Sequence, residues 1–211
     1  MARLVAQARA AAMATPEYGK LVVVVFDGAD KGAPREIFSR CAPANPATMS
    51  ELQGQEHATA LWPERFEKPL SAAVSQLGNA PSATRSPIIA AISQITQRPD
   101  FDSRVTWRAL FLVSDGLEHD RRGFSHMKGG TTSALIRRFR ESGLVATAPA
   151  DLTGVAVTFD YLLRPEFAAR QNADHRAFWN WWFMENGARS ISFAGLREAG
   201  PATSVEKRKS R

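Results

Sequence analysis

The sequence predicts an α/β fold: a mainly parallel sheet with helices on both faces. Three observations carry that expectation. Residues 21–26 (Leu-Val-Val-Val-Val-Phe) and 110–113 (Leu-Phe-Leu-Val) are short unbroken apolar runs, which suit strands buried on both faces of a parallel sheet. Stripes at helical spacing alternate with these runs. Each run also ends in a polar turn, Asp27-Gly28 and Ser114-Asp115-Gly116, at the strand end where open parallel sheets place their ligand sites.

The elements follow in order. Residues 3–13 are rich in Ala, with Leu4, Val5, Ala8 and Ala12 on one face, and read as an amphipathic helix. Gln7 and Arg9 interrupt what a signal peptide needs as a continuous apolar region of about 7–15 residues, so that reading is rejected. Pro16 and Gly19 end the helix and strand 21–26 follows. Between Ala29 and Leu61 the periodicity fails, and Pro34, Pro43, Pro46 and Gly54 predict a long connection with a short edge strand near 36–39. Pro63 opens a helix with Phe66, Leu70, Ala73, Val74 and Leu77 on one side and Pro69 as a kink.

Ser86 is the expected cap of a helix with Pro87 at its first position and Ile88, Ile89, Ile92 and Ile95 on one face, stopping before Pro99. After strand 110–114 comes the polar loop 119–130, then a helix capped by Thr131 or Thr132. A strand over 154–163 carries Asp160 near its end. Pro165 leads into an aromatic helix in which Trp179, Trp182 and Phe183 share a face that docks on the sheet, and 190–193 is a last short strand.

Composition bounds the possibilities. With 211 residues, 44% hydrophobic and 23% charged, the chain suits one globular domain over 1–196, followed by a basic tail at 197–211 expected to be disordered. No apolar run approaches the roughly 20 residues of a membrane span. The single Cys41 excludes an internal disulfide and fits a reducing, cytoplasmic setting. Net charge +6 and pI ≈ 10.0 permit contact with nucleic acid. The basic residues are nevertheless dispersed apart from Arg137-Arg138-Arg140 and Lys207-Arg208-Lys209-Arg211, so both clusters read as solvated surface.

Candidate chemistry is sparse. Ser114, Asp115, His119, His126 and His175 supply the residue types of a hydrolase triad, but Ser-Asp-Gly lacks the Gly-x-Ser-x-Gly elbow that exposes a nucleophile. His119 and His126 form a loop pair without a further spaced metal ligand. Gly129-Gly130-Thr131-Thr132 opens a helix but lacks the phosphate-loop Lys.

Four features in order, Ser86-Pro87-Ile88, Leu112-Val113-Ser114-Asp115, Phe124-Ser125-His126, and Phe178-Trp179 followed by Gly187-Ala188, resemble a von Willebrand factor A-type (vWA) domain, particularly bacterial members. The resemblance covers most of the chain. It implies a doubly wound, Rossmann-like sheet with a metal-ion-dependent adhesion site at the carboxyl edge of its strands, binding a protein partner without catalysis. By position, Ser86 matches the family's hydroxyl ligand and Asp115 its late carboxylate.

The family's Asp-x-Ser-x-Ser motif is absent, and Asp27-Gly28-Ala29-Asp30 lacks both serines. Either 21–26 is the first strand with a degenerate site, or it is the second strand and the central first strand is missing. The second account is preferred, because no helix and strand fit between 21–26 and Phe38-Ser39-Arg40-Cys41. It predicts neighbouring strands left about two spacings of 4.8 Å apart, or forced to re-pair. The metal site is then incomplete, with Mg²⁺ implied only if an upstream Asp-x-Ser-x-Ser strand is present.

Overall fold

A computed structural model describes residues 2–26, 34–44, 54–79, 86–120 and 123–195. The turn Asp27-Gly28-Ala29-Asp30 and the tail 197–211 lie outside them. Helix α1 (Ala2–Ala14) leads into β1 (Lys20–Val25), which pairs antiparallel with β2 (Arg35–Cys41). Helices α2 (Gln55–Trp62) and α3 (Lys68–Ser75) are joined by the π-helical turn Pro63–Glu67. Then come α4 (Ile88–Thr96), β3 (Ala109–Ser114), α5 (Thr132–Glu141), α6 (Leu144–Thr147), β4 (Ala156–Tyr161), α7 (Ala173–Glu185) and β5 (Ser190–Ala194).

The parallel sheet is β3-β4-β5, with Leu110 opposite Val157 and Phe159 opposite Phe193. Its helices bury their apolar stripes against it. Ile89 and Ile92 of α4, Phe159 and Tyr161 of β4, and Trp179 and Trp182 of α7 are all at most 1% exposed. The aromatic face of α7 therefore docks as its spacing predicts. Truncating one such aromatic to Ala costs about 3–5 kcal/mol.

The expected strand 21–26 behaves differently. It does not join the parallel sheet but forms a separate two-stranded hairpin, with a register irregularity between Val23 and Val24. Phe38, Phe66, Leu70 and Val74 make a second core cluster beneath it, with Ala12 of α1. Two ion pairs link the hairpin to the segment after α4: Lys20 Nζ to Asp100 at 2.6 Å and Arg98 to Glu36 at 2.7 Å. The hydrogen bond from Arg98, which also reaches Asp100 at 2.8 Å, is the main cause that holds the Asp100 carboxyl below the usual carboxylate range.

Burial on both faces, expected for 21–26 and 110–113, is realised only in part. Leu110 is buried, whereas Phe111, Leu112, Val113 and Val22 to Val25 are half-buried. The reason is pairing. Among the described residues β3 pairs only with β4, and β1 only with β2.

Three helix starts also differ from expectation. The helix expected to open at Pro165 and include Phe167 begins only at Ala173, because Pro165–Phe167 form a separate 3-10 turn and Asn172 caps the helix by accepting from the His175 N–H. The helix thought to open at Pro63 begins earlier, as α2, and helical backbone runs on through Pro63 and Pro69, with the wider π turn between them where these two residues lack an N–H donor. Ser86 does not cap α4. Its carbonyl accepts from the His119 N–H at 3.0 Å, while the carboxylate of Glu118 takes the Ile89 N–H at 2.9 Å.

Candidate functional site

The carboxyl ends of β3 and β4, the loop 115–130 and the first turns of α7 meet at one place. Gly116, with φ 68°, turns the chain inward there. A Cβ on it would stand 3.0 Å from Trp179 Nε1 and 3.1 Å from His175 Cε1, so a larger residue does not fit. The approach has a purpose. The Gly116 carbonyl accepts three hydrogen bonds, each 2.9 Å long, from His175 Nε2, Trp179 Nε1 and the Glu118 N–H.

These contacts assign the histidine protons. Because His175 Nε2 donates to a carbonyl, its Nδ1 carries the lone pair and accepts the Tyr161 hydroxyl. Burial lowers the His175 pKa to about 4 and raises that of Tyr161. His126 Nδ1 accepts from the Glu118 N–H at 3.1 Å, which leaves the proton on Nε2. That Nε2 has no hydrogen-bond partner among the described residues. The His126 ring packs edge-on against His175, with centroids 4.3 Å apart, and burial first, then the repulsion a second proton would meet from a protonated His175, hold its pKa well below 6.5. Both rings are neutral at pH 7, and each is 1% exposed.

Asp115 lies nearer the surface. Its Oδ1 accepts from the Leu117 N–H at 3.0 Å and its Oδ2 pairs with Arg164 at 3.2 Å. Gln171 Nε2 bridges the carbonyls of Asp115 and Leu162 at 2.8 Å each, while its Oε1 accepts the Arg164 N–H at 2.7 Å. The carboxyl edge is thus a cross-braced platform. Ser86 reaches it through its bridge to His119, in the loop that follows Asp115.

The sequence-predicted chemistry fares unevenly against this geometry. A cation at Asp115 would compete with the Arg164 guanidinium for the same oxygen, so Ser86 and Asp115 alone do not fit a Mg²⁺ site. Among the described residues no group of three or more His, Cys, Asp or Glu side chains is placed to hold a metal ion. Ser114 Oγ accepts from the Gly116 N–H at 3.1 Å, while His126 and His175 are committed to the interior. His119 Nδ1 instead meets Ser125 Oγ at 3.0 Å, which closes a bridge across the loop.

At the start of α5 the N–H of Thr132 donates to Asp174 at 2.8 Å, so a carboxylate already occupies the place a phosphate would take after Gly129-Gly130. Of the basic cluster, Arg138 turns back to donate to the Gly129 carbonyl, and Arg140 lies 5.3 Å over the Trp181 ring.

Sequence reasoning did not single out Tyr161, Glu118, Arg164 or Gln171. Glu118 gave one signal, a lone acid inside Gly-Leu-Glu-His immediately after an apolar strand. Comparison with family models, with curated proteins and with solved structures returns no match. No described helix is long and apolar enough to cross a membrane.

Proposed function

We propose that this chain is a non-enzymatic, vWA-like protein-interaction module that binds a protein partner at the carboxyl edge of its parallel sheet. The observation that carries this reading is the cross-braced edge itself, where the half-exposed Arg164 and the carboxylate of Asp115 present a fixed charge pair above a buried, uncharged His-Tyr plug. Rigid loops on a sheet edge, with little to reorganise, suit recognition. The lack of any ladder between β1 and β3 among the described residues supports the finer reading, a doubly wound sheet that lacks the strand between them. The exposed free thiol of Cys41 supports a cytoplasmic setting.

The hydrolase alternative loses support because the hydrogen bond at Ser114 runs to Gly116 rather than to a histidine. Nucleic-acid binding rests on charge alone.

Capture from a source extract tests the reading. Wild type and an Arg104→Glu control should retain the same protein, and Asp115→Lys combined with Arg164→Glu should lose it. Turnover of ester or amide substrates that disappears in Ser114→Ala or His119→Ala would replace this reading with an enzymatic one.

A further inference from the structure

At the carboxyl edge Arg164 is answered by two carboxylates, those of Asp115 and Glu166. Two further arginines there are not. Arg138 comes from α5 and Arg170 from the turn before α7, and both reach the dipeptide Gly129-Gly130. Among the described residues neither forms an ion pair. Asp174, at the start of α7, is committed to the N–H and hydroxyl of Thr132 at 2.8 and 2.7 Å.

The backbone is shaped to admit both guanidiniums. Gly129 and Gly130 have positive φ, 62° and 123°. A Cβ on Gly129 would run into the Arg170 guanidinium, with Cζ only 3.3 Å away, and a Cβ on Gly130 would stand 3.3 Å from Arg138 Nη1. Arg138 is also anchored, because its Nη2 donates to the Gly129 carbonyl. Its buried Nε–H has no hydrogen-bond partner among the described residues. Its charge is felt at His126, where it lowers the pKa after the larger effects of burial and His175. Two like charges are thus held over adjacent residues, and a bound anion relieves their repulsion.

We propose that Arg138 and Arg170, over Gly129-Gly130, form a binding site for a phosphoryl group carried on a side chain of the partner protein. A phosphorylated side chain brings about −1.5 to −2 charges at pH 7 and three acceptor oxygens, so one group answers both arginines, whereas a carboxylate leaves one unanswered. A nucleic-acid backbone carries one charge per phosphate and needs a track of cations. Arg137 and Arg140 do not extend one from this place, because they line the groove beside Trp181 instead. The inference rests on the interaction-module reading for its partner and names the chemistry that partner brings to the same edge.

The probe is a phosphoserine peptide, Gly-Ala-pSer-Ala-Gly, titrated into the full chain and followed by NMR, with the unphosphorylated peptide and single-stranded oligothymidylate as comparisons. The Gly129 and Gly130 amide signals should shift saturably with the phosphopeptide and stay in place with its unphosphorylated form. Arg170→Gln, at an exposed position, should weaken binding about tenfold with an unchanged Tm. Gly129→Ala removes no charge but displaces Arg170, and should weaken binding as well. Arg137→Gln and Gly123→Ala should leave it unchanged. In capture from a source extract, phosphatase treatment of the extract and Arg170→Gln should each abolish retention of the partner.

Unmoved glycine signals, or equal binding of the two peptides, overturn the proposal. A stronger shift of the same glycines by oligothymidylate also overturns it, because the ligand is then a nucleic acid. Capture that ignores both phosphatase and Arg170→Gln overturns the partner as the source of the phosphoryl group. If the peptide test fails while Asp115 and Arg164 still govern capture, only the phosphoryl site falls. If the phosphopeptide binds through Arg170 and capture ignores Asp115 and Arg164, the carboxyl-edge reading falls instead.

Discussion

His175 Nε2 donates to the carbonyl oxygen of Gly116 at 2.9 Å, joining the first turn of α7 to the turn that ends β3. This bond fixes the ring so that Nδ1 must accept from Tyr161. Tyr161→Phe removes that donor and leaves a buried acceptor unpaired, a loss of about 1–3 kcal/mol. Urea unfolding should show it as a lower midpoint at unchanged slope.

Acid should destabilise the fold through the same ring. His175 has a folded pKa of about 4 against 6.5 when free, so between those values the unfolded chain binds a proton that the folded chain does not. Its contribution, about 3 kcal/mol, is complete above pH 6.5 and is lost as pH falls through 4. His126 acts in the same direction. Unfolding midpoints measured from pH 7 to 4 should fall, and His175→Phe should flatten the decline. A His175 titration near 6.5 by NMR would contradict the burial argument.

Gly116→Ala should be among the most damaging small substitutions. It places a side chain at positive φ and drives a methyl group into Trp179 and His175, for a combined cost of about 2–4 kcal/mol. Calorimetric melting should show a large drop in Tm. Alanine at Gly123, where a Cβ meets nothing within 4 Å, serves as the control for φ alone.

Mg²⁺ should bind weakly or not at all. Calorimetric titration is expected to give no saturable heat at micromolar Mg²⁺, because Arg164 holds the oxygen a cation needs. Asp115→Asn should change stability by less than about 1 kcal/mol, since Arg164 is half-exposed and screened. Micromolar affinity abolished by Asp115→Ala would show a functional metal site.

Much of the fold was legible because its signals are local. Ile88, Ile89 and Ile92 mark one face of α4, Thr131 caps α5 through the Ala134 N–H, and the aromatic spacing of α7 predicts its docking. Pairing was less legible, because an apolar run states that a strand wants cover without naming its neighbour. The runs at 21–26 and 110–113 look alike, yet one forms an antiparallel hairpin and the other the open strand of a parallel sheet. The site was half legible. Asp115 lies at the strand end where it was expected, but its partners Arg164 and Gln171 arrive from a distant turn that no spacing rule connects to it.

Amide hydrogen exchange along β3 in the protein alone tests the open edge most directly. Leu110 and Leu112, which face β4, should be strongly protected, while Ala109, Phe111 and Val113 should exchange far faster. Equal protection of all five amides would show that the outer side of β3 is covered and that its edge is not open.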